Sequence, residues 1–520
     1  MITFTLPKDA TTKPFSDHWK FCVGSGHAAL AMRTDYVEQL KFIHDELGIE
    51  RVRFHGIFDD DMHTLHTLRD LMPIPGGGRF KEQSFRLPGL VYDNVLKAGM
   101  RPFVELGFMP KHLAKLPLKG FFFYKPIVAL PKSDKAWWDY IQAFARYLLR
   151  RYGKEEVEQW CFEVWNEPDL PGVFFDGRQK DYFHLYEVTY RAIKDVDPDL
   201  MVGGPATSAS KWVPEFLEYT KAHDCMPDFV STHQYAGDPL GGVSSDNTDA
   251  PKKQEKHGGS FKTKGTVLEG FRNLMKDEAK KDLPDYAFRT NAKKTRETVG
   301  DLPLYYTEWN CCAVFSAYSN DTKRVPAYDV KATLDVEPYV TGSSVWCFSD
   351  IFEELHPFPE EFHGGFGLLT QHGIPKPSFY GLKFLSQLGS ERWVLDDETY
   401  MRGAVAMGVF QKEQELELLL TRSDLSTKEL PEETVCIELP LGGEPVSVTE
   451  QRIDDTHCNP LKVWEDMGST LDLTPSEVEE IKQKSHLKEE PIPFAVEDGK
   501  LKLTTKLAQN DVSLIKVKLG

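Results

Sequence analysis

Eight short apolar runs recur between residues 21 and 348, and stretches of helical periodicity lie between them. The runs fall at 21–24, 51–56, 102–106, 160–165, 201–203, 229–232, 304–307 and 345–348. After the first, Tyr36, Leu40, Ile43 and Leu47 share one helical face, and 137–152 and 182–196 carry similar apolar stripes. A strand followed by a helix, eight times over, is what a closed parallel barrel requires. The competing doubly wound sheet announces itself by a glycine-rich phosphate loop after its first strand. Here Val23-Gly24-Ser25-Gly26 lacks the third glycine. The expected fold class is therefore α/β, a (β/α)8 TIM barrel spanning 16–385.

From about Glu391 the rhythm changes. The runs 404–410 and 415–420 flank a polar turn, and 445–452 follows. Asp498-Gly499 turns between 494–496 and 500–507, and 512–519 alternates. These are hairpin signals, so 386–520 is expected to form an accessory antiparallel β-sandwich, joined by 1–15 with a strand over 2–6. The stretch 241–300, rich in Gly, Lys, Asp and Asn, has one helix-like segment at 267–280. It is too long for a simple loop and is expected to be an elaborated connection that roofs the barrel mouth.

Charge and cysteine usage narrow the class. The net charge is −18, and acids interrupt the locally basic stretches 252–264 and 276–294. A nucleic-acid protein needs a basic face for phosphates, so none is expected as a partner. No run approaches the roughly 20 apolar residues of a membrane span. The opening MITFTLPKDATTKPF has no charged region leading into an apolar one, which predicts a cytoplasmic protein. Cys22, Cys161, Cys225, Cys311, Cys312, Cys347, Cys436 and Cys458 include no CxxC pair, and all eight are expected as free thiols in a reducing compartment. A metal-dependent barrel hydrolase should cluster His and Asp at strand ends. Only His55 and His233 stand there, with no HxH pair, so no metal and no cofactor are expected.

Glycosidic bonds are broken by two carboxyl groups flanking the anomeric carbon. In Cys161-Phe-Glu-Val-Trp-Asn-Glu-Pro168 an apolar strand ends at Asn166-Glu167 and Pro168 turns the chain outward. In Pro303-Leu-Tyr-Tyr-Thr-Glu-Trp-Asn310 another ends at Glu308. Strands four and seven of a barrel can bring two such carboxyls to the ~5–5.5 Å of a retaining mechanism. Taken singly, either glutamate is an ordinary strand-end charge; the pair points to glycoside hydrolysis.

The stretches HWKFCVGSG, RVRFHG, RPFVELGFMP, FEVWNEPDL, VGGPA, DFVSTHQY, YTEWN, VWCFSDIFEE and FHGGFGLLTQHGIPKP span nearly the whole barrel. Together they resemble glycoside hydrolase family 39, the β-xylosidase and α-L-iduronidase family, and within it the bacterial β-xylosidases. The resemblance implies a retaining, exo-acting enzyme that releases xylose from the non-reducing end of xylo-oligosaccharides by double displacement. Glu308 would be the nucleophile and Glu167 the general acid/base, its pKa raised in part by the nearby nucleophile. It further implies that Asn166 bonds a sugar hydroxyl, that His55, His233 and Tyr235 line the sugar pocket or orient Glu308, that Trp346 stacks on a sugar ring, and that Glu353 takes two hydroxyls. Glu354 reads as a solvated loop charge, and Glu105 equally as packing support or substrate contact. A homo-oligomer is implied as well. Rival sugars are α-L-arabinosides, β-glucosides, β-galactosides and iduronides; a non-catalytic carbohydrate-binding barrel is the alternative from another class. The chain departs from the β-xylosidase pattern at Gln234, Trp309, Cys311-Cys312 and Tyr124-Lys125-Pro126, positions expected to bear on the sugar rather than on the reaction.

Overall fold

The computed structural model describes residues 1–8, 10–79, 81–238, 283–284, 286–355, 357–441 and 445–520, with the Arg79 side chain excepted. Eight parallel strands close a barrel: Cys22–His27, Arg51–His55, Arg101–Glu105, Cys161–Glu163, Met201–Thr207, Phe229–Gly237, Leu304–Cys312 and Gly342–Val345. Each expected strand is present. The first, fifth, sixth and seventh run further toward the mouth than their apolar runs. The eighth ends at Val345, which leaves Trp346 in the loop beyond it. The helices Thr34–Leu47, Asp134–Tyr152 and Gln179–Val196 bury the apolar faces read above. The expected helix over 267–280 lies outside the described residues. The described end of the same connection contains the helix Ala287–Val299.

The barrel interior is layered. Cys22, Phe103, Cys161, Phe229 and Tyr305 plug its N-terminal end. Phe103 and Phe229 meet edge to face at 5.7 Å, an arrangement aromatic quadrupoles favour. Above this plug the inward side chains become polar: Arg53, Glu105 and Glu163 are all buried. An apolar floor under a charged layer leaves functional groups only at the C-terminal mouth, where barrels of this kind carry their chemistry.

The C-terminal region contains the expected β-sandwich. One sheet orders Ile2–Thr5, Glu433–Pro440, Lys500–Leu507 and Ala495–Glu497; the larger includes Pro445–Ile453, Val512–Leu519, Glu415–Arg422 and Val405–Lys412 as neighbours. The first strand pairs in parallel with Glu433–Pro440, which the sequence reading had not singled out. Alternating residues of the two sheets make a separate core of Phe4, Met407, Leu418, Ile437, Leu503 and Ile515. Facing residues of the larger sheet, among them Phe410, Leu419, Val512 and Leu514, join the barrel's own core. The sandwich is thus fused to the barrel by apolar packing. Residues 454–488 hold two helices, Pro460–Asp466 and Pro475–Ser485, where a purely antiparallel module was expected. They bury Trp464 and Ile481 against Phe362 and Ile374 of the loop after the eighth strand. No disulfide joins any two of the eight cysteines.

Candidate active site

Arg53 organises the site. It lies two residues before His55 on the second strand, so both point inward. Its Nε donates to Glu163 Oε2 at 2.6 Å, Nη1 to Glu308 Oε1 at 2.7 Å and Nη2 to Asn166 Oδ1 at 2.8 Å. Nη2 also stands 3.0 Å from Glu105 Oε2. Burial works against the guanidinium charge, but the carboxylates facing it, Glu163 foremost, more than offset it and hold the proton more tightly than usual. One rigid fork therefore ties strands two, three, four and seven together. Sequence reasoning missed Arg53 although the signal was available: an inward His55 makes the residue two positions earlier inward as well.

Glu105 belongs to this supporting layer. Its Oε2 lies 2.7 Å from His55 Nδ1. Burial pushes the Glu105 carboxyl up to about 8 against the pull of Arg53, and burial takes His55 down to about 3. The pair is therefore neutral near pH 7. A raised acid loses stability as pH climbs from its unfolded value of 4.5 through about 8, because the unfolded chain releases its proton first. The depressed His55 loses stability as pH falls from 6.5 toward 3. The two slopes cancel between 4.5 and 6.5, so Glu105 shows alone above that. Glu105→Gln should flatten the fall in unfolding free energy between pH 6.5 and 8 by up to about 1.4 kcal/mol per pH unit. Urea unfolding at four pH values measures this, and an unchanged slope would show that Glu105 is ionised in the fold.

A bulge sets Glu308. The sixth and seventh strands pair Thr232 with Tyr306 and then His233 with Glu308, so Thr307 is an extra residue. In a regular strand Thr307 and Glu308 would point to opposite faces. The bulge lets both turn inward: Thr307 Oγ1 donates to Glu163 at 2.8 Å, and Glu308 receives Arg53 and the Tyr235 hydroxyl at 2.9 Å. The strand does not end at Glu308, as the sequence suggested, but continues to Cys312.

Glu167 is placed by a different device. The fourth strand stops at Glu163, four residues earlier than expected. Trp165 at φ 73° and Glu167 at φ 38° adopt the left-handed region, and these turns rather than Pro168 end the strand. The loop is held by the Glu167 N–H bonded to Ala206 O at 2.9 Å and by Trp165 Nε1 bonded to Phe174 O at 2.7 Å. Glu167 Oε1 meets His233 Nδ1 at 2.9 Å. Burial, then the charges of Asp238 and Asp169, raise its pKa well above the usual carboxyl range. These contributions lead, rather than the Glu308 charge, which Arg53 engages at 2.7 Å. Burial also keeps His233 neutral by lowering its pKa. A carboxylate oxygen of Glu167, a ring nitrogen of His233 and a carboxylate oxygen of Glu308 lie within 4.8 Å of one another.

The remaining residues surround this pair. Asn166 Nδ2, His233 Nε2 and Glu354 Oε1 are buried with no hydrogen-bond partner among the described residues, which leaves them available to ligand hydroxyls. Glu354, expected in solvent, is buried, 3.7 Å from His55 Nε2. Glu353, expected to take hydroxyls, has φ 56° and turns its half-exposed side chain to Arg33 at 3.6 Å. Of the two neighbours it is Glu354 that faces the cluster. Trp346 sits with its ring 5.0 Å from His55, and Phe108 and Phe174, which sequence reasoning did not single out, stand 6.1 and 5.9 Å from the same imidazole. A methyl group at Gly24 would lie 2.3 Å from Trp346 Cε3. Gly24→Ala must therefore displace the indole, and kcat/KM should fall about 10- to 100-fold while far-UV circular dichroism stays that of wild type. Two departures face away from the cluster: Gln234 accepts from Asn291 Nδ2 at 2.6 Å and Trp309 packs 5.4 Å from Phe288, both on the helix Ala287–Val299.

Two inward glutamates, one in the loop just beyond strand four and one on strand seven, with a buried arginine behind one and a histidine beside the other, make a glycosidase-like arrangement. The sequence model of glycosyl hydrolases family 39 matches residues 2–284 and 281–502. The chain belongs to glycosyl hydrolase family 39. A beta-xylosidase of Caldicellulosiruptor saccharolyticus is 35% identical over 504 residues, covering 96% of this chain and 95% of that protein. One from Geobacillus stearothermophilus is 31% identical over 99% of this chain and 95% of its own length. Among solved structures, a GH39 beta-xylosidase of Caulobacter crescentus superposes with a TM-score of 0.75 at 29% identity over 99% of both chains. This family 39 protein is thus a glycoside hydrolase. No helix among its described residues is long and apolar enough to cross a membrane.

Proposed function

We propose that this family 39 hydrolase is a retaining, exo-acting β-xylosidase that releases xylose from the non-reducing end of xylo-oligosaccharides. The observation that carries the mechanism is the approach of Glu167 and Glu308, with carboxylate oxygens within 4.8 Å. This supports direct attack over an inverting reaction, which needs about 6.5–9.5 Å to admit water between the groups. In the first step a Glu308 oxygen bonds to the anomeric carbon while the bond to the leaving oxygen breaks. Glu167, protonated because burial disfavours its charge, gives that oxygen its proton. In the second step Glu167, now ionised, takes a proton from water as the water oxygen replaces Glu308 on carbon. Arg53 and Tyr235 hold the Glu308 carboxylate in place and stabilise it when it departs.

The sugar reading rests on the two β-xylosidases that align over nearly the whole chain. An iduronide would bring a carboxylate of its own. The guanidinium of the cluster is already engaged by Glu163, Glu105 and Glu308. Hydrolysis of a panel of nitrophenyl glycosides, with the first-formed anomer read by proton NMR, tests both parts. Cleavage of the β-xyloside with β-xylose appearing first is expected. Release of α-xylose would overturn retention, and preference for another pyranoside would overturn the sugar.

A further inference from the structure

A second group of side chains at the mouth takes no part in the chemistry above. His27 closes the first strand, and Asp59 and Asp61 follow the second. His27 Nε2 stands 3.4 Å from Asp59 Oδ2 and 3.4 Å from Asp61 Oδ1. His27 and Asp59 are buried, and Asp61 is half exposed. Among the described residues, His27 Nε2 and Asp59 Oδ2 have no hydrogen-bond partner beyond these ion pairs, and Asp59 Oδ1 has none at all. The ring nitrogen and Asp59 Oδ2 thus meet within an ion pair, while Asp59 Oδ1 is left with nothing, which is costly for a buried carboxylate oxygen. Gly56, at φ 77°, makes the space: a methyl group there would lie 2.3 Å from Asp59 Oδ2 and 3.0 Å from the His27 ring. The imidazole is fixed from its other side by Tyr124, stacked at 4.1 Å and 6°.

We propose that His27, Asp59 and Asp61 bind one divalent transition-metal ion, with Zn2+ the best fit. Three ligand atoms within 4.8 Å suit a single ion, and the two 3.4 Å spacings match those of a tetrahedral one. Around a tetrahedral zinc with bonds of about 2.0–2.1 Å, adjacent ligands stand about 3.3–3.4 Å apart. Around an octahedral Mg2+ the spacing shrinks to about 3.0 Å, and Ca2+ demands six or more oxygens. One imidazole and two carboxylates are a borderline donor set that zinc accepts. The fourth vertex opens beside the half-exposed Asp61, where water completes the shell. On binding, the Nε2–metal bond replaces any proton on that nitrogen, which leaves to solvent. The ion would pin the loops after strands one and two, and through His27 the stacked Tyr124. The adjacent Phe123 N–H bonds Glu354 O at 2.8 Å, so the pin reaches the backbone of a residue lining the sugar site.

The test uses the full chain, stripped with chelator and titrated with Co2+ and then Zn2+. One Co2+ per chain with the intense visible absorption of a tetrahedral ion is expected, displaced by one equivalent of Zn2+. His27→Gln and Asp61→Asn should each weaken Zn2+ binding by about 100-fold or more. Asp61 is half exposed, so its substitution should leave the far-UV spectrum unchanged. Glu308→Ala should keep the cobalt spectrum intact. No stoichiometric uptake by wild type, unchanged affinity in Asp61→Asn, or loss of the signal in Glu308→Ala, which would place the ion between Glu167 and Glu308, would each overturn the proposal.

Discussion

Glu308→Ala should lower kcat on an activated β-xyloside by at least about 10⁴-fold, about 5.5 kcal/mol of transition-state stabilisation. The carboxylate removed is the one that Arg53 Nη1 and the Tyr235 hydroxyl both address. The fold should survive, because the smaller side chain leaves room for water to satisfy both donors. Added azide, an anion small enough for the vacated space, should restore turnover and yield the glycosyl azide of inverted configuration. Glu167, still protonated, would serve the leaving group. Hydrolysis at wild-type rates would sink the assignment of the nucleophile. Rescue with retained configuration would sink the direct attack. The companion Glu167→Ala should respond differently, since its loss is felt least with leaving groups that need no proton.

Arg53→Met is the change with the largest expected effect on stability. A buried charge network tolerates wholesale apolar replacement far better than loss of one partner, which costs about 3–5 kcal/mol. Among the described residues, Arg53 is the sole cation in contact with Glu163, Glu105 and Glu308. Without it the buried carboxyls must take up protons beyond the one Glu105 already holds to remain in the fold, and their pKa values rise. Acids raised in the folded state contribute stability at low pH that is lost as pH climbs. The deficit against wild type should therefore be smaller at pH 5 than at pH 8 in guanidinium unfolding. A deficit equal at both pH values would show that the carboxylates stay ionised in the fold without Arg53. Arg53→Lys separates charge from geometry. A single ammonium cannot reach Glu163, Glu308 and Asn166 with the directed donors of a guanidinium. Most of the stability should return, while kcat/KM stays about 10²-fold down because Glu308 is no longer aimed.

Much of this protein is legible along the chain. The barrel strands are short, doubly covered and apolar, and such runs read plainly when helices of 3.6-residue period separate them. Both glutamates could be found because each follows such a run. The two helices in the C-terminal region were also signalled, by Asn459-Pro460 and by the capping box of Thr474 and Glu477. Neighbouring hairpin patterns drew attention away from them.

What the chain alone could not convey are the places where backbone irregularity re-aims a side chain. Thr307 is an extra residue only relative to the strands beside it, so no local pattern announces that it and Glu308 both turn inward. Glu353 and Glu354 are chemically identical neighbours. A left-handed φ at the first decides which of them faces His55. His27 and Asp59 lie 3.4 Å apart only because strands one and two are paired and Gly56 leaves the space. Sequence by itself determined the fold class, the family and the pair of carboxyls, because periodicity and motif are properties of consecutive residues. Tertiary structure decided how each carboxyl is charged and aimed, because desolvation and hydrogen bonding depend on groups that only the closed barrel brings together.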